Sequence, residues 1–531
     1  MTKNTLKELD MKKKFISGLF VAAAILSLAA CGSSESTTTS SSSADTETFT
    51  YAIDGDPSST NPINTSDRWG LTLTNFLYSP LIRVEADGSY VNELADSYEI
   101  AEDGLSITVK LRQDVKWSDG EAFNADDVIF TYQQKVKEEN GNADGLYING
   151  QPVTFEKVDD YTVKFVLPAV SAPALDNIVT ETYIIPEHVY NDEPDFSVSQ
   201  LTNTPVGTGP YKFVDYKHGQ YIQLEANEYY YKGEPEIDNL VLRIITSADT
   251  RKVALQTGEV DASFVLPSDI ADLDTNTITT YAYTENRVGY LGLNTSTTEL
   301  SDVRVRQAIL FALNKDEMNQ AAYLDKEYYE TPYSFLPVAN PYATEEVEKY
   351  EQNIEKAKSL LAEAGVSDLK LNLGFNSSDP AQTLQATLIQ EQLAKVGITV
   401  ELAGGDSTAL FTELRKEGST TYKLFLGGYI MGNDPDQYAR LFKAGGASNY
   451  FKLNSATINS LFEEGAVELD KTKREAIYDD LQAALADEAA IYPIVDNKKI
   501  LAVNNRVQGV EEAGLVPIYT FEDPSYLTIE D

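Results

Sequence analysis

The apolar run Phe15–Ala30, preceded by Lys12, Lys13 and Lys14, constrains this chain more than any other stretch. It is shorter than the roughly 20 residues a helix needs to cross a bilayer, so it is expected to be a secretory signal, 1–30, and not a membrane span. Whatever follows must then fold outside the cytoplasm. Met11 suits the start of such a signal better than Met1, because Glu8 and Asp10 interrupt the basic segment. The run closes on Cys31, the chain's only cysteine, so the fold has to hold without a disulfide.

Leu28-Ala29-Ala30-Cys31 resembles a bacterial lipobox, which makes Cys31 the expected lipidation site and membrane anchor. The next residues, Gly32–Ser43, are almost entirely Ser and Thr, with nothing to bury, and 31–47 is expected to be a flexible tether. Roughly 480 residues remain, more than one hydrophobic core supports, so two or three lobes are expected.

The chain carries 83 acidic against 42 basic residues, a net charge of −41. Without residues 1–30 the balance is 81 against 37, or −44. That field repels phosphate backbones and anionic lipid, so nucleic acid is excluded as a partner and only the lipid anchor would bring the chain to a membrane. Only His188 and His218 supply imidazoles, and they are far apart in sequence. With no thiol beyond Cys31, no zinc-type site is expected.

Along the chain, strand patterns at Phe49–Ile53, Ser106–Arg112 and Tyr161–Leu167 alternate apolar and polar residues. A mixed stretch at Asp67–Tyr78 leads from a loop into a helix. Asn124-Ala125-Asp126-Asp127-Val128 opens a helix whose acids suit the positive end of its dipole, a capping role and not metal binding. Gly207-Thr208-Gly209-Pro210-Tyr211 introduces a hairpin, with His218 at its turn. From Tyr290 onward strands and helices alternate: a short strand Tyr290–Leu293, helices at Asp302–Ala312, Ile354–Ala364 and Ala381–Lys395, and strands at Lys370–Phe375, Ile398–Leu402 and Tyr422–Gly428. This is an α/β pattern. A long helix, Lys473–Ala490, precedes a strand-like tail in which Asp496-Asn497 and Asn504-Asn505 read as turns.

Several segments, in order, resemble the peptide-binding family of ABC-transporter solute-binding lipoproteins (family 5, the oligopeptide, dipeptide and nickel type). They are Asp87-Gly88, Leu94-Ala95-Asp96-Ser97-Tyr98, Asp103-Gly104, Leu111-Arg112 with Val115-Lys116-Trp117-Ser118-Asp119-Gly120, and Phe123 with Ala125–Val128. Gly207–Tyr211, Gly258-Glu259-Val260-Asp261, and Leu293-Asn294 with Asp302–Ala308 continue the series. The resemblance implies an α/β, bilobed periplasmic-binding-protein-like fold of type II, the large cluster C form with an extra subdomain. It places lobe I at 48–81, 185–287 and 492–531, an inserted subdomain at 82–184, and lobe II at 288–491.

The resemblance further implies a protein without catalysis or cofactor that closes on a short peptide and hands it to the transmembrane subunits of an ABC permease. It would work as a monomer, lipid-anchored on the outer face of the cell membrane. A hinge of at least two crossing strands would let ligand stabilise the closed form by its differential affinity. The implied ligand residues are Asp67, Arg68 and Trp69 on one lobe and Gly428, Tyr429, Ile430 and Met431 on the other, with Asn449 and Tyr450 as further candidates. Peptide-binding relatives carry an Asp a few residues after an aromatic in the second stretch, for the ligand's amine. Here the nearest is Asp434, in a turn-like context; Arg68 is the candidate for a carboxylate, and either residue could instead form an internal ion pair. Alternatives are an oligosaccharide or chelated-nickel cargo, a peptide-signal receptor, or a surface hydrolase. For the hydrolase the chain offers no Gly-x-Ser-x-Gly elbow, no His-Glu-x-x-His and no phosphate loop.

Overall fold

A computed structural model describes residues 47–85, 89–140, 143–191, 196 and 204–530. The signal segment, Cys31, the tether up to residue 46 and Asp87-Gly88 lie outside the described residues.

The frame is one mixed sheet. Its strands are β1 (Thr48–Ile53), β2 (Tyr211–Lys217), β3 (Tyr221–Ala226), β4 (Asn239–Ile244), β5 (Ala262–Val265), β6 (Ile278–Leu293), β7 (Lys370–Asn376), β8 (Thr399–Gly405), β9 (Leu424–Ile430) and β10 (Ile491–Asn504). They lie in the order β2-β3-β4-β1-β5-β10-β6-β9-β7-β8. β1 pairs in parallel with β4 and β5, and β7 in parallel with β8 and β9. Alternation explains the strands: Phe49, Tyr51 and Ile53 on β1 and Leu240, Leu242 and Ile244 on β4 face one core. Helix α1 (Arg68–Leu77) covers that core with Trp69, Leu73, Phe76 and Leu77, at helical spacing.

Residues 81–184 build a separate core around Trp117, Val128, Tyr132 and Phe165. It lies between a four-stranded antiparallel sheet (strands Ala95–Ile100, Ser106–Leu111, Thr162–Val166 and Thr154–Asp159) and helix α2 (Ala125–Lys135). Beyond β6, residues 288–495 fill two more clusters, one around Ile309, Leu373 and Ile389, the other around Tyr290, Phe425, Tyr438 and Phe442.

The matched motifs are joints. Asp127 closes a capping box at the start of α2 and also accepts from Glu187 N at 2.9 Å and Trp117 Nε1 at 3.3 Å, which locks the Trp117-Ser118-Asp119-Gly120 turn to the helix. Burial pushes its carboxyl up, against those hydrogen bonds. Asp261 accepts Arg506 Nε at 2.7 Å and Thr50 N at 2.8 Å, tying together three distant parts of the chain. Gly207 and Gly209 press against the end of α1; a Cβ on Gly207 would lie 1.8 Å from the Leu77 carbonyl oxygen.

Two strands differ from expectation. The predicted short strand Tyr290–Leu293 is the end of the 16-residue β6. The predicted turn at Asp496-Asn497 is the interior of β10, which runs unbroken from Ile491 to Asn504. These two strands pair with each other along most of their length, and each joins both sides of the sheet: β10 meets β5 at Ala262–Val265, and β6 meets β9 at Leu424–Ile430. Near the middle their register shifts between Thr284 and Val288.

Candidate functional site

At that shift Glu285, Asn286 and Arg287 leave the ladder to β10, and Asn286 takes a left-handed backbone, φ 51°. Glu285 pairs with Arg68 at the head of α1, while the Arg287 guanidinium packs over Gly428, where a Cβ would collide with it, and donates to Asn497 Oδ1 at 2.9 Å. Asp496 accepts from Val338 N at 3.2 Å and Thr284 Oγ1 at 3.3 Å; burial pushes its carboxyl up to about 6. Of the two polar residues that suggested a turn, Asp496 is buried and Asn497 half-buried, and both have partners at the strand crossing.

A cavity of about 420 Å³ opens beside the crossing, within the range of small-ligand pockets. Four parts of the chain line it: Arg83–Glu85 and Asp176–Glu181 from the 81–184 unit, Asn286 from β6, Ile430–Asn433 with Gln437 and Arg440, and Val516–Tyr519 near the C-terminus. Asn433 Nδ2 donates to Glu85 O at 3.4 Å, and Gln437 Nε2 to Asn177 Oδ1 at 3.3 Å. Nearby, Ala172 N donates to Ala466 O at 2.8 Å, so the 81–184 unit closes against the 288–491 side.

Backbone strain gathers here. Glu181, Asn286 and Ile518 all line the cavity with positive φ (51°, 51° and 66°), and Thr520 follows at 75°. Left-handed conformations of non-glycine residues, β-branched ones above all, cost of order 1–3 kcal/mol each and concentrate at functional sites. Asp176 sits on a π-helical turn, Leu175–Val179, another feature frequent at such sites.

The electrostatics are uneven. Arg83 is committed to Glu85, Glu93 and Glu522. Arg440 is exposed and forms no ion pair among the described residues. Asp176 accepts a hydrogen bond from Tyr90 Oη at 2.8 Å through Oδ2; burial, then the nearby Asp434, pushes its carboxyl up to about 6.

Of the residues expected at the ligand, Ile430 and Met431 line the cavity and Gly428 lies exposed on β9 near it. Asp67 is the N-cap of α1, accepting from Trp69 N at 3.1 Å and Gly70 N at 3.0 Å. Arg68 takes the internal ion pair with Glu285 and donates to Ile518 O at 3.3 Å. Trp69 is buried against Tyr51 and Phe264, its Nε1 on Asp54. Tyr429 packs among Tyr290, Tyr438 and Phe442, its hydroxyl on the Phe335 carbonyl.

Asn449 clamps its own loop through Leu453 O at 2.7 Å, and Tyr450 packs on Phe411 with Arg415 on its hydroxyl. Asp434 takes the internal ion pair that the sequence left open for it. It caps the turn at Pro435–Tyr438, and both its oxygens are held by Arg474, at 2.6 and 2.8 Å, with the carboxylate 4% exposed.

Sequence reasoning missed the 81–184 wall entirely. The segment Ala174–Glu181 carries no turn cluster or periodicity that marks it. Asn433 and Gln437 lie beside Asp434, whose turn-like context is visible in the sequence. The two histidines lie elsewhere: His188 pairs with Asp119 at 2.7 Å, and His218 stacks on Tyr216. Among the described residues no group of three His, Cys, Asp or Glu side chains is placed to hold a metal ion.

The family model "Bacterial extracellular solute-binding proteins, family 5 Middle" matches residues 89–450. The crystal structure of the ABC transporter substrate-binding protein CtaP from Listeria monocytogenes is 35% identical, with a TM-score of 0.87 over 91% of this chain and 99% of that one. Oligopeptide-binding protein AppA of Bacillus subtilis is 28% identical over 82% of this chain and 83% of its own length. Heme-binding protein A of Haemophilus influenzae is 29% identical over 93% of this chain and 96% of its own. With the family match spanning more than half the sequence and the fold shared over 91% of it, the chain belongs to the bacterial extracellular solute-binding proteins of family 5.

Proposed function

We propose that the cavity beside the crossing of β6 and β10 captures short peptides for delivery to an ABC permease. The observation that carries this reading is the cavity itself: walls from both sides of the crossing, apolar surface from Ile430, Met431, Pro517 and Ile518, and charges of both signs at Asp176 and Arg440. A short peptide has that same make-up, a charged amine and carboxylate separated by variable side chains.

Backbone recognition has a place as well. β9 pairs with β7 only at Leu424 and Phe425, so from Gly427 to Ile430 it has a ladder on the β6 side alone, and an extended peptide can add along the other edge. Relatives at nearly equal identity are named for oligopeptide and for heme, so the cargo is argued from the cavity and not from identity.

The division into lobes is part of the proposal. Lobe I (48–81, 185–287, 492–531) and lobe II (288–491) would move about the middles of β6 and β10, and the insert 82–184 would travel with lobe I as the closing jaw. Ligand touching both sides favours the closed form by its differential affinity and leaves unchanged when the jaws open. No helix among the described residues is long and apolar enough to cross a membrane. Anchorage on the outer face of the membrane is assigned to a lipid on Cys31, and the working unit to a monomer.

A thermal-shift panel of peptides, oligosaccharides, chelated nickel and heme tests the cargo. A ligand at a hundredfold excess over its Kd stabilises the fold by about 2.7 kcal/mol. Stabilisation by peptides supports the reading. Stabilisation by another class with no response to peptides overturns it.

A further inference from the structure

We infer that Asp176 holds the α-ammonium group of the bound peptide, so that the ligand's amine end lies against the insert 82–184 and not against the loop 431–437. This rests on the peptide reading above and adds the ligand's direction and a specificity-determining residue.

The carboxylates around the cavity leave few choices. Glu85 is paired with Arg83. Glu181 accepts from Val84 N on Oε1, and its Oε2, though without a hydrogen-bond partner, is shut away from the cavity's solvent, where an ammonium group does not reach it. Asp434 is fully used by Arg474. Asp176 receives a side-chain hydrogen bond on Oδ2 from Tyr90 and a backbone one from its own amide, and no cation pairs with it among the described residues.

The charge balance points the same way. Asp434 acts through space on both Asp176 and Asp436, with the Arg474 guanidinium as the main positive charge set against them. Lys443, which also acts on Asp436, is engaged by Glu463 at 3.0 Å. Arg474 neutralises one carboxylate of the three, and the corner remains anionic. An ammonium group is a compact cation with three donors, and Asp176 lines the cavity where it would arrive.

The groups facing Asp176 are Tyr90 and Tyr98 on the insert and Asp434, Arg474 and Tyr342 across from it. The tyrosines stay neutral at working pH, since burial and nearby carboxylates raise all three. Asp176 must be ionised to hold an ammonium group. In the empty site it protonates near pH 6, so affinity for free-amine peptides should fall as pH drops through about 6, while affinity for N-blocked peptides should not.

The test uses a randomised tripeptide pool and the same pool acetylated at its amines, with retained peptide read by native mass spectrometry. The parent protein should retain free-amine peptides preferentially. Asp176→Asn should weaken that retention about tenfold or more, the scale of a hydrogen bond to a charged group, and leave the acetylated pool unchanged. Tyr90→Phe keeps the carboxylate and loses only its positioning hydroxyl, so it should give a smaller loss confined to the free-amine pool. Equal losses in both pools, or no loss in either, overturn the role of Asp176. A parent protein that retains both pools equally leaves peptide binding standing and removes the amine contact; one that retains neither brings down both.

Discussion

Replacing Asp434 by alanine should destabilise the fold without changing which peptides bind. Asp434 and Arg474 meet through two short bonds, 2.6 and 2.8 Å, with 4% and 7% of their side chains exposed. Arg474 also donates to Gly465 O at 2.8 Å and to the Tyr342 and Tyr478 hydroxyls, so its position is fixed and it cannot swing out to water. Removing the carboxylate therefore leaves a buried guanidinium uncompensated, a change that costs about 3–5 kcal/mol.

For a folded part of about 480 residues the unfolding entropy is roughly 1 kcal/mol per kelvin, so Tm should fall by about 3–5 °C in differential scanning calorimetry. The double variant Asp434→Leu/Arg474→Met removes both charges together and should recover most of the loss, because replacing a buried pair by apolar side chains is often neutral. A Tm shift below about 1 °C for Asp434→Ala, or a loss of free-amine peptide binding with stability intact, would refute the structural role.

Other expectations follow from the same geometry. Burial holds the Asp496 carboxyl up at about 6, above the 3.8 of a free aspartate, so its ionisation opposes folding above that pH and the opposition vanishes as pH falls toward 4. Asp496→Asn should accordingly gain stability relative to the parent between pH 5 and 7.5, as read by urea unfolding across that range; a gap that does not change with pH counts against the assignment. Gly207→Ala places a Cβ 1.8 Å from the Leu77 carbonyl oxygen and should lose about 1–3 kcal/mol in chemical unfolding. Arg440→Ala should weaken peptides with a free carboxylate more than their amides in calorimetric titration; equal weakening would remove Arg440 from the ligand's carboxyl end.

The elements that were legible in the sequence are those with one wet face and one buried face. Ser106–Leu111 and Ala125–Lys135 carry alternation or capping that follows from that asymmetry, and the family resemblance rests on joints such as Asp127 and Asp261. The middle of β6 and β10 was illegible for the converse reason. Thr284 partners Asp496 and Arg287 partners Asn497 at the crossing, and polar residues in a row resemble a turn when their partners lie some 200 residues away.

Asp67, Trp69, Tyr429 and Asp434 are residue types suited to ligand contact, yet each is occupied inside the protein by a helix terminus, an aromatic cluster or an ion pair. Asp176 and Arg440 have no local pattern; only the fold brings them to one cavity.

On this reading the cavity at the strand crossing holds a short peptide and releases it unchanged. Protein purified without denaturant, then unfolded so that whatever it carried is released for mass spectrometry, tests this most directly. The account predicts intact short peptides in near-stoichiometric amount, lost when Asp176 and Arg440 are both replaced. Recovery of saccharide, metal chelate or heme in their place, or of peptides cleaved during incubation with the protein, would contradict it.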